Sequence, residues 1–285
     1  MVNMPEFADR DKRAMALSFI WRKGAKVIDP TRVYAETGTS VGEGTLIYPD
    51  VYLYGKTKIG KNCTVFPGVH LFDAIIGDST VICTGTTVSK SSVGKNSVVG
   101  ANTHIDGTRI GPRVRIEPFS LVRNSRVCAD CRIGPFADIR NSHVQRNVEV
   151  AHAEINRSKI GSGTFVKHFS YVGDAIVGEN CNIGAGTVFC NYNGRTKHVT
   201  TLEDGVFVGS GTMLVAPLLL GRECFIAAGS VVTKNVPPQT LVIARGQEHE
   251  HDYNELAFSP NKKPIEVRKN KYVKRTKDGW EFART

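Results

Sequence analysis

The chain has 285 residues, 41% of them hydrophobic and 22% charged, with a formal net charge of +10. This is the make-up of a soluble globular protein with a sizeable core. No apolar run is long enough for a membrane span, and the opening MVNMPEFADRDKRAM mixes acids and bases where a secretory leader needs apolar residues. Seven scattered cysteines argue against a disulfide scaffold and suit a reducing cytoplasm, which is the expected location.

Residues 5–25, PEFADRDKRAMALSFIWRKGA, carry an amphipathic pattern that predicts a helix stopping at Gly24, placed to cap the open end of whatever follows. This gives a first segment at 1–25. From residue 26 to 246 a short unit of apolar residue, glycine, two variable residues, small residue and apolar residue recurs. It reads VGEGTL at Val41, IGKNCT at Ile59, IGDSTV at Ile76, VGKNSV at Val93 and IGPRVR at Ile110, with successive starts from 59 to 110 spaced by 17 residues. It returns as IGPFAD at Ile133, IGSGTF at Ile160, VGENCN at Val177, IGAGTV at Ile183, VGSGTM at Val208 and IAAGSV at Ile226. A period of 17 is three six-residue sides with one shortened. Each side is too short for a helix and rich in Val, Ile and Thr, so it predicts a strand, with glycine at the tight corners. Stacked coils put the recurring apolar residue into one continuous core, which defines a parallel β-helix. The pattern does not set the hand of the winding.

Within the repeat, VCADCRIG spaces Cys128 and Cys131 like half a zinc site, but no second pair completes it, so no metal is assigned. Between Ile183 and Val208 the beat lengthens to 25 residues. The surplus, CNYNGRTKHVTT, contains the turn pair Asn193-Gly194 and predicts a loop projecting from the coil wall. Pockets on a flat solenoid are expected at such loops and at seams between copies. From Gln247 to the end the hexapeptides stop. Nine basic against three acidic residues from Lys262 onward hold six of the ten net positive charges, so 247–285 is read as a solvated basic tail.

The stretches HFSYVGDAIVGENCNIGAGTVFCNYNGRTKH, VFVGSGTMLVAP and FIAAGSVVTKNVP, with WRKGAKVIDPTRVYAE upstream, resemble the acetyltransferase domain of the bacterial N-acetylglucosamine-1-phosphate uridyltransferase/glucosamine-1-phosphate acetyltransferase family over roughly residues 14–246. The resemblance implies an all-β fold, a left-handed parallel β-helix of hexapeptide repeats, assembled as a homotrimer with acetyl-CoA lying along the seam between subunits. It also implies a soluble enzyme of cell-envelope precursor synthesis. The family's pyrophosphorylase domain, with its Gly-rich loop and magnesium-binding carboxylates, is not recognisable here, so uridylyl transfer is expected from a separate nucleotidyltransferase, if from anything. Neither membrane nor nucleic acid is an expected partner.

The family chemistry is attack of a sugar amine on a thioester, and no metal is required for it. An amine must shed a proton, and an imidazole serves that need near neutral pH. The resemblance places His168 as the general base, Asn191 as the residue positioning base and acceptor, and Ser210 beside the thioester, where an oxyanion needs a donor. Arg140 and Lys197 match cations that bind the sugar phosphate. Tyr171, Asn182 and Tyr192 match the acceptor-sugar surroundings, and Glu154 a nearby carboxylate. Ala185, Ser210, Ala228 and Arg245 match contacts along the coenzyme groove. Two departures bear on the acceptor. Asn156 stands where the family has a lysine, with Arg157 beside it, and the connection from Arg140 to Glu154 is about two residues shorter. Lys167 replaces a glycine just before the histidine.

The expected activity is therefore acetyl-CoA-dependent N-acetylation of an amino sugar phosphate, with glucosamine 1-phosphate as first candidate. Alternatives are a nucleotide-linked amino sugar as acceptor, or a non-catalytic hexapeptide scaffold. A hexapeptide zinc carbonic anhydrase would need histidines converging from neighbouring coils, and the eight histidines include no closely spaced pair of that kind within the repeat.

Overall fold

A computed structural model describes residues 10–246 and the backbone of two short antiparallel strands, Lys274–Thr276 and Gly279–Glu281. The helix expected over 5–25 runs from Arg10 to Arg22, and Gly24 leaves it with φ +83°. Glycine accepts that left-handed conformation without strain, which makes it a natural helix terminator. Leu17 and Ile20 are buried against the first coil, and the Arg13 guanidinium bonds the carbonyl oxygens of Val33, Pro30 and Thr31. Apart from the two short strands, the basic tail lies outside the described residues.

From Lys26 to Val242 the chain visits three sheets in rotation. Every third strand is a parallel neighbour, except that Phe225–Ile226 pairs with Leu241–Val242 two strands on, giving faces of 13, 12 and 11 strands. The first face begins at Lys26–Val27, the second at Val33–Ala35 and the third at Ser40–Val41. This is a three-sided parallel β-solenoid, as the repeat requires. Along each face the inward residues stack in file. On the first, Ile82, Val99, Ile116 and Ile133 follow one another in register, all at most 1% exposed. One residue per rung satisfies the core, so each coil packs only on the coils above and below.

The register follows the 17-residue period through the middle coils, as at Arg115↔Arg132 and Arg132↔Glu149. Two coils depart. Asn182 pairs with Phe207, and the 25-residue advance is taken up by the predicted loop, which leaves the wall at the corner between second and third faces. Asp138 pairs with Glu154, an advance of 16, because the corner Ala151-His152-Ala153 has one residue fewer than its neighbours.

The paired cysteines have separate surroundings. Cys131 sits inside, with Cys63, Cys181 and Cys224, and its burial pushes its thiol pKa up to about 11. Cys128 stands outside on the third face, 3.5 Å from His143 Nε2. Among the described residues no group of three or more metal-binding side chains converges, and no helix is long and apolar enough to cross a membrane.

Candidate active site

The corner joining first and second faces brings together residues far apart in sequence. His168 follows the strand Phe165–Lys167, Ala185 follows Asn182–Ile183, Ser210 follows Phe207–Val208, and Ala228 follows Phe225–Ile226. These residues fall into one file, one per coil. The amides of Gly186, Gly211 and Gly229 donate to the carbonyls of His168, Ala185 and Ser210 at 2.7–2.8 Å. The file is close-packed on its inner side, because a β-carbon on Gly184 would meet Ser210 N at 2.6 Å and one on Gly209 would meet Ala228 N at 2.4 Å. It is bare on its outer side. Gly186, Gly211 and Gly229 have φ of 66–72°, and no other atom comes within 4 Å of where a Gly229 side chain would begin. Arg245 flanks this strip, its Nη1 donating to Ala228 O at 3.2 Å.

His168 and Phe169 are the only consecutive non-glycine residues with positive φ among those described, 55° and 62°. The short coil above holds them there. The His168 amide donates to Ala151 O at 2.8 Å and the Phe169 amide to His152 O at 2.6 Å, while the His168 carbonyl accepts from Gly186. The imidazole itself is exposed. Lys167 turns away from it: its Nζ lies 2.5 Å from Glu149 Oε2 and 5.0 Å from the Phe165 ring centre.

The second face carries the polar residues. Asp138, Glu154 and Tyr171 stack in one register column, and Arg140, Asn156 and Gly173 in the next but one. Arg140 is held by Asp138 through a two-point pair, Nε to Oδ1 at 2.7 Å and Nη2 to Oδ2 at 2.5 Å, with Glu154 Oε1 3.6 Å away. The Asn191 amide donates to Asp174 Oδ2 at 2.5 Å and to the Tyr171 hydroxyl at 3.3 Å. Arg157 closes the group with a two-point pair to Asp174 at 2.6 and 2.8 Å. Its hydrogen bonds and charge, then the Asn191 amide and the Lys197 charge, lower the Asp174 pKa below the usual carboxylate value.

Asn156 faces sideways, 3.5 Å from Asn141 Nδ2. Tyr192 is exposed and donates to Gly194 O within the projecting loop, and Lys197 bridges back to Tyr192 across it. Asn182 lies on the first face, in register between Phe165 and Phe207, apart from the polar cluster within this subunit. Sequence reasoning missed three contributors: Asp138 as the partner of Arg140, Asp174 as the hub for Arg157 and Asn191, and Gly173. The Gly-Asp pair inside SYVGDA was the available signal.

Three family profiles match the chain: the GMPPB C-terminal domain at residues 30–133, the bacterial transferase hexapeptide (six repeats) at 157–191 and the hexapeptide repeat of succinyl-transferase at 199–234. The solenoid and its repeats thus place the chain among the hexapeptide-repeat proteins. Within that class its sequence matches the C-terminal acetyltransferase domain of the bifunctional protein GlmU. The GlmU of Carboxydothermus hydrogenoformans is 37% identical over 242 residues, covering 82% of this chain and 45% of that protein. That of Heliobacterium modesticaldum is 40% identical over 225 residues, covering 79% and 42%. The chain thus spans less than half the length of these relatives.

Proposed function

We propose that the chain is an acetyl-CoA-dependent N-acetyltransferase acting on an amino sugar phosphate, with glucosamine 1-phosphate the leading acceptor. The observation that carries this reading is the single corner file of His168, Ala185, Ser210 and Ala228, beside a strip of backbone free of side chains. A thin, linear thioester arm fits such a strip, whose glycines admit close approach to the backbone. Arg245 beside it supplies a cation for the coenzyme's phosphates.

In this reading the acceptor ammonium first gives one proton to solvent, and as the free amine attacks the thioester carbon His168 takes the second from its nitrogen. The carbonyl oxygen gathers negative charge, to which the Ser210 hydroxyl donates. The C–S bond then breaks, and the departing thiolate recovers a proton from the imidazolium. Ser210 is two rungs from His168, ~10 Å at the usual strand spacing, which is the span of a base–amine–carbonyl–hydroxyl chain of ~3 Å contacts. Asp174 aims the Asn191 amide at Tyr171, and Arg140 and Lys197 present charge to the acceptor phosphate. The homotrimer belongs to this proposal, since Asn182 on the first face and Tyr171 on the second serve one acceptor only where two copies meet.

The test is thiol release from acetyl-CoA across a panel of amino sugar phosphates and nucleotide-linked amino sugars. His168→Ala should lower turnover by about 10²- to 10⁴-fold with coenzyme affinity little changed. Wild-type activity in that variant, or no thiol release with any amine, would remove the assignment.

A further inference from the structure

The third face carries a ladder of positive charge on the far side of the molecule from the His168 corner. Arg109, Arg126, His143 and Lys159 point outward in direct register, one per coil. Rungs of a parallel sheet lie ~4.8 Å apart, and like charges placed opposite one another destabilise it. The first face shows how such a clash is relieved. There Arg115 stacks on Arg132, and Glu117 pairs with both at 2.9 and 3.0 Å. The third face has no such carboxylate. Of the acids at its edges, Asp106 accepts from the Ser89 hydroxyl while Asp130 and Asp174 are taken by Arg113 and Arg157, and among the described residues Arg109, Arg126 and Lys159 form no ion pair.

This ladder walls an open cleft of about 630 Å³, completed at the corner by Asn124, Asn141 and Arg157; none of its lining residues is acidic, and its one aromatic ring is the His143 imidazole. The floor is chemically closed. The hydroxyls of Ser125, Ser142 and Ser158 donate to the carbonyls of Arg123, Arg140 and Asn156 at 2.6–2.9 Å, and each accepts from an amide of the next coil at 3.0–3.1 Å. What remains for a ligand is a row of unmatched cations flanked by side-chain amides. The potential there is felt by His143, whose pKa is lowered by burial and then by the Arg126 and Lys159 charges.

We infer that this cleft binds a diphosphate group, with Arg109, Arg126 and Lys159 as its charged ligands. Several negative charges in line are needed to neutralise three cations spread over four successive rungs, and arginine forks match phosphate oxygens in pairs. A single carboxylate or phosphate leaves most of the ladder unmatched. Single-stranded nucleic acid would call for a run of aromatic platforms, and the cleft offers the His143 imidazole alone.

The experiment is calorimetric titration of the full chain with inorganic pyrophosphate, beside inorganic phosphate. Saturable binding at one pyrophosphate per chain is expected, at least tenfold tighter than phosphate. The double variant Arg109→Ala/Arg126→Ala should weaken it at least tenfold, about the loss of one charge-assisted bond, at unchanged melting temperature. His168→Ala should leave it intact, which separates this site from the proposed transferase chemistry. No binding by the wild type, phosphate binding as tightly as pyrophosphate, or full affinity in the double variant would each overturn the assignment. So would failure to bind pyrophosphate together with a change of oligomer mass in Arg126→Glu, which would make this face a contact between copies.

Discussion

A β-carbon on Gly173 would stand 2.4 Å from the Tyr171 hydroxyl and 2.6 Å from the Asn191 amide nitrogen. The φ of Gly173 is ordinary for a strand, so its glycine serves space rather than backbone freedom: the Tyr171 ring folds over it. Gly173→Ala should therefore raise the KM for the acceptor amine well above wild type while the melting temperature changes little. An unchanged KM would show that Tyr171 and Asn191 do not need this arrangement. Arg157 illustrates what the sequence could not show. Neighbouring strand residues point to opposite faces, and alternation alone would set Arg157 on the side opposite Asn156. The strand ends at Asn156, however, and Arg157 adopts φ +50°, which carries its guanidinium back to Asp174. A corner residue obeys corner geometry, and where a strand stops was not written in its alternation.

At the scale of the coil, stability rests on inward files. Ile155 is fully buried between Ile139 and Val172. Ile155→Ala should cost about 2–5 kcal/mol, the range for truncating a buried aliphatic side chain, and lower the midpoint of thermal unfolding accordingly. A shift of less than ~1 kcal/mol would mean that the stack closes over the gap. The files were legible because every coil that carries an apolar-Gly pair announces its own corner. The corner file of His168, Ala185, Ser210 and Ala228 was legible in the same way, each residue lying two beyond a recurring Ile or Val. The one-residue deficit was legible only as a vague shortening between Arg140 and Glu154. Its corner carries Val150-Ala151 rather than an apolar-Gly pair, so no marker there tells a 16-residue advance from one of 17.

At the scale of the whole molecule, the outer surface gathers what the core does not explain. Phe119, Phe136 and Phe169 stand more than half exposed along the corner that leads to His168, with His152 interleaved. Such rings in a row are poor partners for water and good ones for another protein surface. Sedimentation equilibrium should give three times the chain mass at micromolar concentration, and Phe136→Glu should lower it. A monomer in the wild type would leave the proposed acceptor residues on the first and second faces without a common site. The basic tail, which carries most of the net charge, was read from composition alone, and composition gives charge without placement.

The missing residue at Ala151–Ala153 also has a temporal consequence. The corner amides of Ala185, Ser210 and Ala228 make no hydrogen bond within the described residues, whereas that of His168 is bonded to Ala151 O and that of Phe169 to His152 O. Amide exchange requires such bonds to open. In deuterated solvent the His168 and Phe169 amides should thus retain their protons long after those of Ala185, Ser210 and Ala228 have been replaced, although all five lie along the same solvent-facing corner. Equal exchange at the five positions would mean that the short coil exerts no grip. Slow exchange at the first two would mark His168 as a side chain free to move on a peptide that is not, and the proposed base would swing only about its own χ angles.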